Sequence, residues 1–290
     1  MSRRVPLRRL RIEGDVLATR ALLARELPTV QVEPLNGQAD ALGPVIDAAS
    51  WQAAARFHAF DERIERSPTD DVTLVGPSAA GIAHEVLTRW QRFLDRRNDA
   101  TRGVLFDAVL EAHAALHDLS KPLVKADHDH ALDTWQWMLR LDPDVELAPQ
   151  LAALFHDIER LESEADVRVE QHAPDYQRFK DAHARRGADI AGETLLAVGV
   201  DDATVTRVCK IIAGHERRGL DADVDLLNDA DALSFFSLNS PGYIDYFGPE
   251  QTQRKIAYTL GRLGERARAR LATVRLCPDV RALVKSAEAT

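Results

Sequence analysis

The octapeptide LFHDIERL, residues 154–161, sets His156 beside Asp157 inside an apolar helical stretch. An imidazole and a carboxylate next to a core-facing stripe are costly to desolvate unless they pair or bind a metal, and neutral imidazole with ionised carboxylate is a common ligand set for divalent ions. A capped or solvent-facing pair would account for the dipeptide taken alone, the more so because a second copy, His117-Asp118, stands in AALHDLSKP. What separates the first copy is its company. His130, in DHDHALDTWQWMLRL, precedes His156 by 26 residues, His183, in HARRGADIAGETL, follows Asp157 by 26, His215 closes KIIAGHE, and LLNDADAL supplies Asp229 and Asp231. Each is read as sitting at or near a helix end, so that five helices could aim side chains at one point of a bundle, the usual way helical proteins build metal sites.

The elements that must position these residues follow from periodicity. Leu147, Leu151, Leu154, Phe155, Ile158 and Leu161 recur at spacings of three and four in a helix opened by Pro149, with His156 and Asp157 beside the stripe. From residue 84 onward nearly every segment has helical periodicity: HEVLTRWQRFLDRRN, TRGVLFDAVLEAHAALHDL, ALDTWQWMLRL, APQLAALFHDIERLE, DAHARRGADIAGETLLAVG, DATVTRVCKIIAGHE, VDLLNDADALSFFSLN and PEQTQRKIAYTLGRLGERARARLATVRL. Residues 1–83 differ in texture. VPLRRLRI and VTLV read as strands, GDVLATRALLAREL as a helix and VEPLNGQADALGP as a loop. LVGPSAAG reads as a strand entering an ordinary turn, because it lacks the glycine and lysine pattern of a phosphate loop. The expectation is a mainly α protein, with a small α/β region over 1–83 and a helical metal-dependent domain over 84–290.

Composition limits the function classes. The 290 residues are 45% hydrophobic and 29% charged, ordinary values for a globular chain, and no apolar run reaches the length of a membrane span. A net charge of -9 argues against general nucleic-acid binding. The basic start MSRRVPLRRLRIEG has no apolar h-region behind it, and Cys209 and Cys277 show no sign of pairing, so a cytoplasmic chain with no disulfide partner and no membrane partner is expected. Oligomeric state is not legible.

The order H, HD, H-x-x-x-GA, H, AD-x-L resembles the HD-domain superfamily of metal-dependent phosphohydrolases over roughly residues 110–275, with LAALFHDIERL and NDADAL as its most specific pieces. The resemblance implies an HD-type helical bundle in which His130, His156, Asp157 and Asp231 hold a first divalent ion, while His183 and His215, with Asp157 bridging, hold a second. Iron or manganese suits such donors best, and other first-row ions fit. His128 and Asp229 are the neighbouring alternatives; the resemblance favours His130, followed by A-L-x-x-W, and Asp231, in AD-x-L. The copy at His117-Asp118, followed by Lys121, matches an HD-x-x-K string of the same superfamily. Its upstream histidine would be His84, 33 residues earlier, and nothing after it supplies the later motifs without taking the ligands of the other set. His58, His84, His113 and His172 are read as surface or packing residues, His172 lying in a polar loop that could face the pocket.

Two divalent ions sharing a carboxylate can lower the pKa of a bound water to about 7 and neutralise a phosphoryl oxygen. The implied partner is a small phosphorylated substrate, nucleotide-like or a sugar phosphate. Asp157, Arg160 and Glu216 are the candidate catalytic residues. Arg185, Arg186, Lys210, Arg217 and Lys255 are the candidate substrate contacts, with Arg218 beside them and Tyr243 and Tyr246 on a Gly/Pro loop before Lys255. Some HD-domain proteins with six ligands are mixed-valent diiron oxygenases, but these tend to follow the fourth histidine with an A-K-R-Y-L-like string where this chain has HERRGLDAD. A third reading is a non-catalytic nucleotide- or RNA-binding regulator, for which Arg262, Arg266 and Arg270 would form a basic helical face.

Overall fold

The computed structural model describes residues 9–23, 31–37, 45–47, 71–76, 97–169, 174–219, 221–272, 274, 276 and 278–288. The chain divides into two compact units, Met1–Asp95 and Arg96–Thr290. The helix expected over residues 84–98 lies almost wholly outside the described residues, as do His58, His84, His172 and Cys277.

In the first unit, strands β1 (Arg9–Ile12), β2 (Gln31–Pro34), β3 (Val45–Asp47) and β4 (Asp71–Val75) form a parallel sheet of order β2-β1-β4-β3, with helix α1 (Val16–Leu23) joining β1 to β2. Leu10 lies opposite both Val32 and Val72, and Leu10, Ile12 and Val32 are buried. The loop expected from Val32 onward therefore begins as a strand. Val32 has a buried place on the sheet, and Pro34, which cannot donate to a ladder, stands at the strand's end.

Among its described residues the second unit consists of helices and their connections, with no strand. Its helices are α2 (Val104–Leu116), α3 (Pro122–Leu141), α4 (Leu147–Phe155), the short α5 (Arg160–Ser163), α6 (Tyr176–Val198), α7 (Asp202–Gly214), α8 (Ala222–Ser234), α9 (Ser240–Arg262), α10 (Glu265–Leu271) and α11 (Pro278–Glu288). The protein is thus mainly α with a small N-terminal α/β unit. Helix α4 packs against α3, α6, α7 and α8, and Leu151, Ala152, Ala153, Leu154 and Phe155 on it are at most 1% exposed. No described helix is long and apolar enough to cross a membrane. Cys209 is a free thiol that donates to the Ala188 carbonyl.

Several boundaries differ from the periodic reading, each for a local reason. Helix α3 begins at Pro122, whose fixed φ suits a first turn, so His128 and His130 lie well inside a helix and not at its start. Helix α6 begins at Tyr176, with the Asp175 side chain accepting from the Arg178 amide, which places His183 two turns inside. The stretch from Ser240 expected to be a Gly/Pro loop is helical, interrupted at Gly248, where φ is 78°, a value glycine tolerates. Helix α9 then ends at Arg262, and the Leu263–Gly264 break separates Arg262 from Arg266 and Arg270, so the three arginines do not share one helical face.

Candidate metal centre

The centre is built where α4 stops. After Phe155 the backbone tightens: Ile158 N bonds to Phe155 O and Arg160 N to Asp157 O, both reaching back three residues instead of four. The freed Ala153 carbonyl accepts from His156 Nδ1 at 2.9 Å, which fixes the tautomer and turns Nε2 inward. His156 is 0% exposed, and its Nε2 has no hydrogen-bond partner. Two carboxylate oxygens, Asp231 Oδ1 at 3.7 Å and Asp157 Oδ2 at 3.8 Å, stand beyond hydrogen-bond length from it. A buried ring nitrogen without a hydrogen-bond partner, facing two carboxylates, is what a cation with bonds of about 2.1 Å would satisfy.

The same device recurs at the other histidines. His215, at the C-terminus of α7, donates Nδ1 to Ile212 O at 2.7 Å. On α6, His183 Nδ1 pairs with Glu159 Oε2 at 2.6 Å, and on α3, His130 Nδ1 pairs with Ser234 Oγ at 2.9 Å. Four imidazoles thus have Nδ1 held by a carbonyl, a carboxylate or a hydroxyl. Such partners orient metal-binding histidines and set their tautomer. The inward Nε2 atoms of His130 and His183 lie 3.1 Å from Asp231 Oδ1 and 3.0 Å from Asp157 Oδ1.

Two donor sets emerge, His130–His156–Asp157 and Asp157–His183–His215, each with ligand atoms mutually within 4.8 Å, and Asp157 belongs to both. Asp231, from α8, closes on the first. All six residues predicted as ligands therefore come together, from α3, the end of α4, α6, the end of α7, and α8. His128 does not join them, and Asp229 turns away to accept from Arg218 at 2.6 Å and from the Gly264 amide at 2.8 Å.

The electrostatics suit a cation. Burial works against a charged His156, yet the Asp157 and Asp231 carboxylates overcome it and raise its pKa to about 9. Burial likewise opposes ionisation of Asp157, but Arg160 and His156 hold it well below the ordinary carboxylate range. Burial is also outweighed at Asp231, by His130 and His156, and at His183, which hydrogen bonds to Asp157 and Glu159 raise. Metal ions bound there would displace the protons that these carboxylates favour on His156 and His183.

The family described as DUF4202, a domain of unknown function, matches residues 105–284, more than half of the chain. The chain belongs to this family. All six clustered residues lie within the DUF4202 domain. No curated protein and no solved structure matches the chain.

The other predicted residues of the DUF4202 domain fall into two groups. Arg160 is at the centre, its Nε 2.9 Å from Asp157 Oδ2 and its Nη1 3.1 Å from Glu164. Glu216 is there too, with Oε1 3.2 Å from His215 Nε2 and 2.6 Å from Lys180 Nζ. Burial would favour its neutral form, but Lys180 and His215 hold it ionised far below the usual glutamate range, so it suits an acceptor and not an acid. In contrast, Arg186 pairs with Glu162, Arg217 pairs with Asp181, and Arg185 and Lys210 are exposed. The first two already have carboxylate partners at the surface. Lys255 lies 5.9 Å from the centroids of both Phe235 and Tyr258.

Four residues that sequence reasoning did not assign to the metal centre belong here: Glu159, Ser234, Lys180 and Arg262, the last read only as part of a basic helical face. The first three stand three positions from a ligand, at His156+3, Asp231+3 and His183-3, a spacing that shares a helical face. Arg262 gave no such sign. Its guanidinium reaches back from the end of α9 to His215 O at 3.1 Å, to Asn228 Oδ1, and to within 3.8 Å of Glu216.

Proposed function

We propose that the DUF4202 domain of this chain is a two-metal phosphohydrolase of the HD type, acting on a phosphoester or phosphoanhydride of a small molecule. The observation that carries the reading is the pair of histidine-containing donor sets sharing Asp157. His130, His156, Asp157 and Asp231 would hold one ion, and Asp157, His183 and His215 the other. Divalent ions in such a pair supply Lewis-acid activation of water and neutralisation of phosphoryl oxygens.

The chain's own groups prepare the site. Nδ1 anchoring holds four imidazoles with Nε2 inward, so little reorganisation is needed when substrate arrives. Arg160, held against Asp157, keeps that carboxylate ionised and places positive charge beside the site. Glu216 and Lys180 form a buried ion pair next to His215, an acceptor and a donor that can orient water and a phosphate oxygen. Arg262 adds a second guanidinium at the same edge.

The test is phosphate release from a panel of phosphate esters by protein loaded with Mn(II) or Fe(II), in the presence and absence of oxygen. Equal rates in the two atmospheres are expected. Product that formed only aerobically, with oxygen taken from O2, would replace this reading with a diiron oxygenase.

A further inference from the structure

Two helices each carry a ladder of side chains from the surface into the metal centre. On α6, Tyr176, Lys180 and His183 follow one another at spacings of four and three, which puts them on one face. On α9, Lys255, Tyr258 and Arg262 do the same at three and four. The inner rungs belong to the site: His183 to a donor set, Lys180 to Glu216, and Arg262 to Glu216 and the His215 carbonyl. The outer rungs meet, because Tyr176 and Tyr258 lie edge to face with centroids 6.3 Å apart.

Both residues are open to solvent, Tyr176 at 37% and Tyr258 at 40% exposure, where a buried pair would serve only packing. They are flanked by cations. The Arg262 guanidinium is 5.5 Å from the Tyr258 centroid, and Lys255 Nζ is 5.9 Å from it. Lys255 is also tied to the site by a second route, since Phe235, 5.9 Å from its Nζ, lies one helical turn beyond Asp231. Seven residues of helix separate Tyr176 from His183, a rise of about 10 Å. A pentose joining a heterocyclic base to a phosphate spans that interval with the phosphate at the metals.

We propose that Tyr176 and Tyr258, with Lys255 and Arg262 beside them, form a subsite for an aromatic ring carried by the phosphorylated substrate, so that the substrate class is a nucleotide and not a simple sugar phosphate. The proposal rests on reading the metal centre as a phosphohydrolase site. A ring stacked on an exposed tyrosine gains affinity by an amount that tolerates any base, since every base has a π-face. The two cations on the same wall add favourable contacts to the ring and to the phosphate.

The test compares adenosine 5'-monophosphate with ribose 5-phosphate, which differ by the base alone. Binding of each to the full chain loaded with Mn(II) is measured by calorimetry, and chromatography of the recovered ligand reports hydrolysis in the same sample. The nucleotide should bind at least about tenfold more tightly, within the range expected for one stacked base. The double substitution Tyr176→Leu/Tyr258→Leu should erase that preference and leave ribose 5-phosphate affinity unchanged, while Tyr176→Phe/Tyr258→Phe should retain it. Affinities within twofold of each other in the unmodified protein, a preference that survives the leucine pair, or loss of both ligands together would overturn the subsite. Preference for the nucleotide without any hydrolysis would leave the subsite standing and remove the phosphohydrolase reading instead.

Discussion

Two clusters of imidazoles sit in the same helical unit and have opposite electrostatics. In one, His156 and His183 face Asp157 and Asp231, and their proton affinities are raised. In the other, His113, His117 and His128 stand with ring centroids 4.5 to 5.5 Å apart, and burial together with mutual repulsion pushes His117 down to about 4 and His113 well below its ordinary value. The clusters nearly touch: Phe155, which meets His113 edge-on at 5.0 Å, immediately precedes His156. The difference lies in the carboxylates. Asp129, the acid beside the second cluster, meets Lys125 at 2.9 Å and comes no nearer than 3.7 Å to His128, whereas Asp157, although it also meets Arg160 at 2.9 Å, and Asp231 approach His183 and His130 at 3.0 and 3.1 Å. Among the described residues, the donor sets able to hold an ion both include Asp157, and neither includes His113, His117 or His128. Crowding histidines together does not make a cation site; setting carboxylate oxygens against their inward ring nitrogens does.

The contrast breaks most visibly at one histidine from each cluster. His156→Ala should lower phosphate-ester turnover by at least about a thousandfold and abolish metal binding at its donor set while the chain stays folded, because it removes a ligand in addition to buried packing. His113→Ala should do the reverse, costing about 2–4 kcal/mol in denaturant unfolding through the cavity it leaves, with turnover and metal content kept. If both variants lost metal equally, the two clusters would be one functional unit.

The pH dependence of stability in the metal-free protein sharpens the contrast. His156 has a folded pKa of about 9, so its contribution is fully present below its unfolded value near 6.5 and is lost as pH rises through 9. His117 is depressed to about 4, so the unfolded chain takes up a proton that the folded chain refuses, and stability is lost as pH falls from 6.5 through 4, by on the order of 3 kcal/mol. Chemical denaturation across pH should show a maximum near pH 6.5. The alkaline fall should shrink in His156→Ala, leaving the part that His183 contributes, and the acid fall should shrink in His117→Asn. A curve that keeps both limbs in both variants would show that other groups set them.

Removing an anchor should have a smaller effect than removing a ligand. Glu159→Gln, which weakens the partner of His183 Nδ1, should reduce metal affinity about 10- to 100-fold in competition with a chelator, with the fold intact. An unchanged affinity would reduce Glu159 to a surface contact. The smallest effect belongs to the other HD dipeptide. Asp118 is exposed and accepts from the Ser120 amide and hydroxyl, a local turn at the start of α3, so Asp118→Asn should leave metal content and turnover at wild-type values.

How much of this was legible in the sequence depended on what each residue's role required. The helices that carry the ligands announced themselves through periodic apolar positions, and the six candidate ligands came from the resemblance of their order to that of the HD-domain superfamily. Helix ends were less legible. Nothing in LFHDIERL says that regular hydrogen bonding stops at Phe155, because the stripe continues through Ile158 and Leu161 while the backbone shortens to three-residue bonds. His128 and His130 looked alike in DHDH. Their two-residue offset rotates them to different faces of α3, one toward His117 and the other toward Asp231, which only the register of that helix decides. Arg262 read as part of a surface stripe because the break at Leu263–Gly264 was not visible, and the polar SPGYIDYFGP stretch read as a loop although only Gly248 leaves helical geometry.

The account turns on Asp157 serving two ions. Elemental analysis of protein reconstituted with Mn(II) and freed of excess metal by gel filtration tests it most directly, on the unmodified chain, His183→Ala and Asp157→Asn. The shared-carboxylate arrangement predicts two ions per chain, about one, and less than one, in that order. One ion in the unmodified chain, or two in His183→Ala, would contradict it.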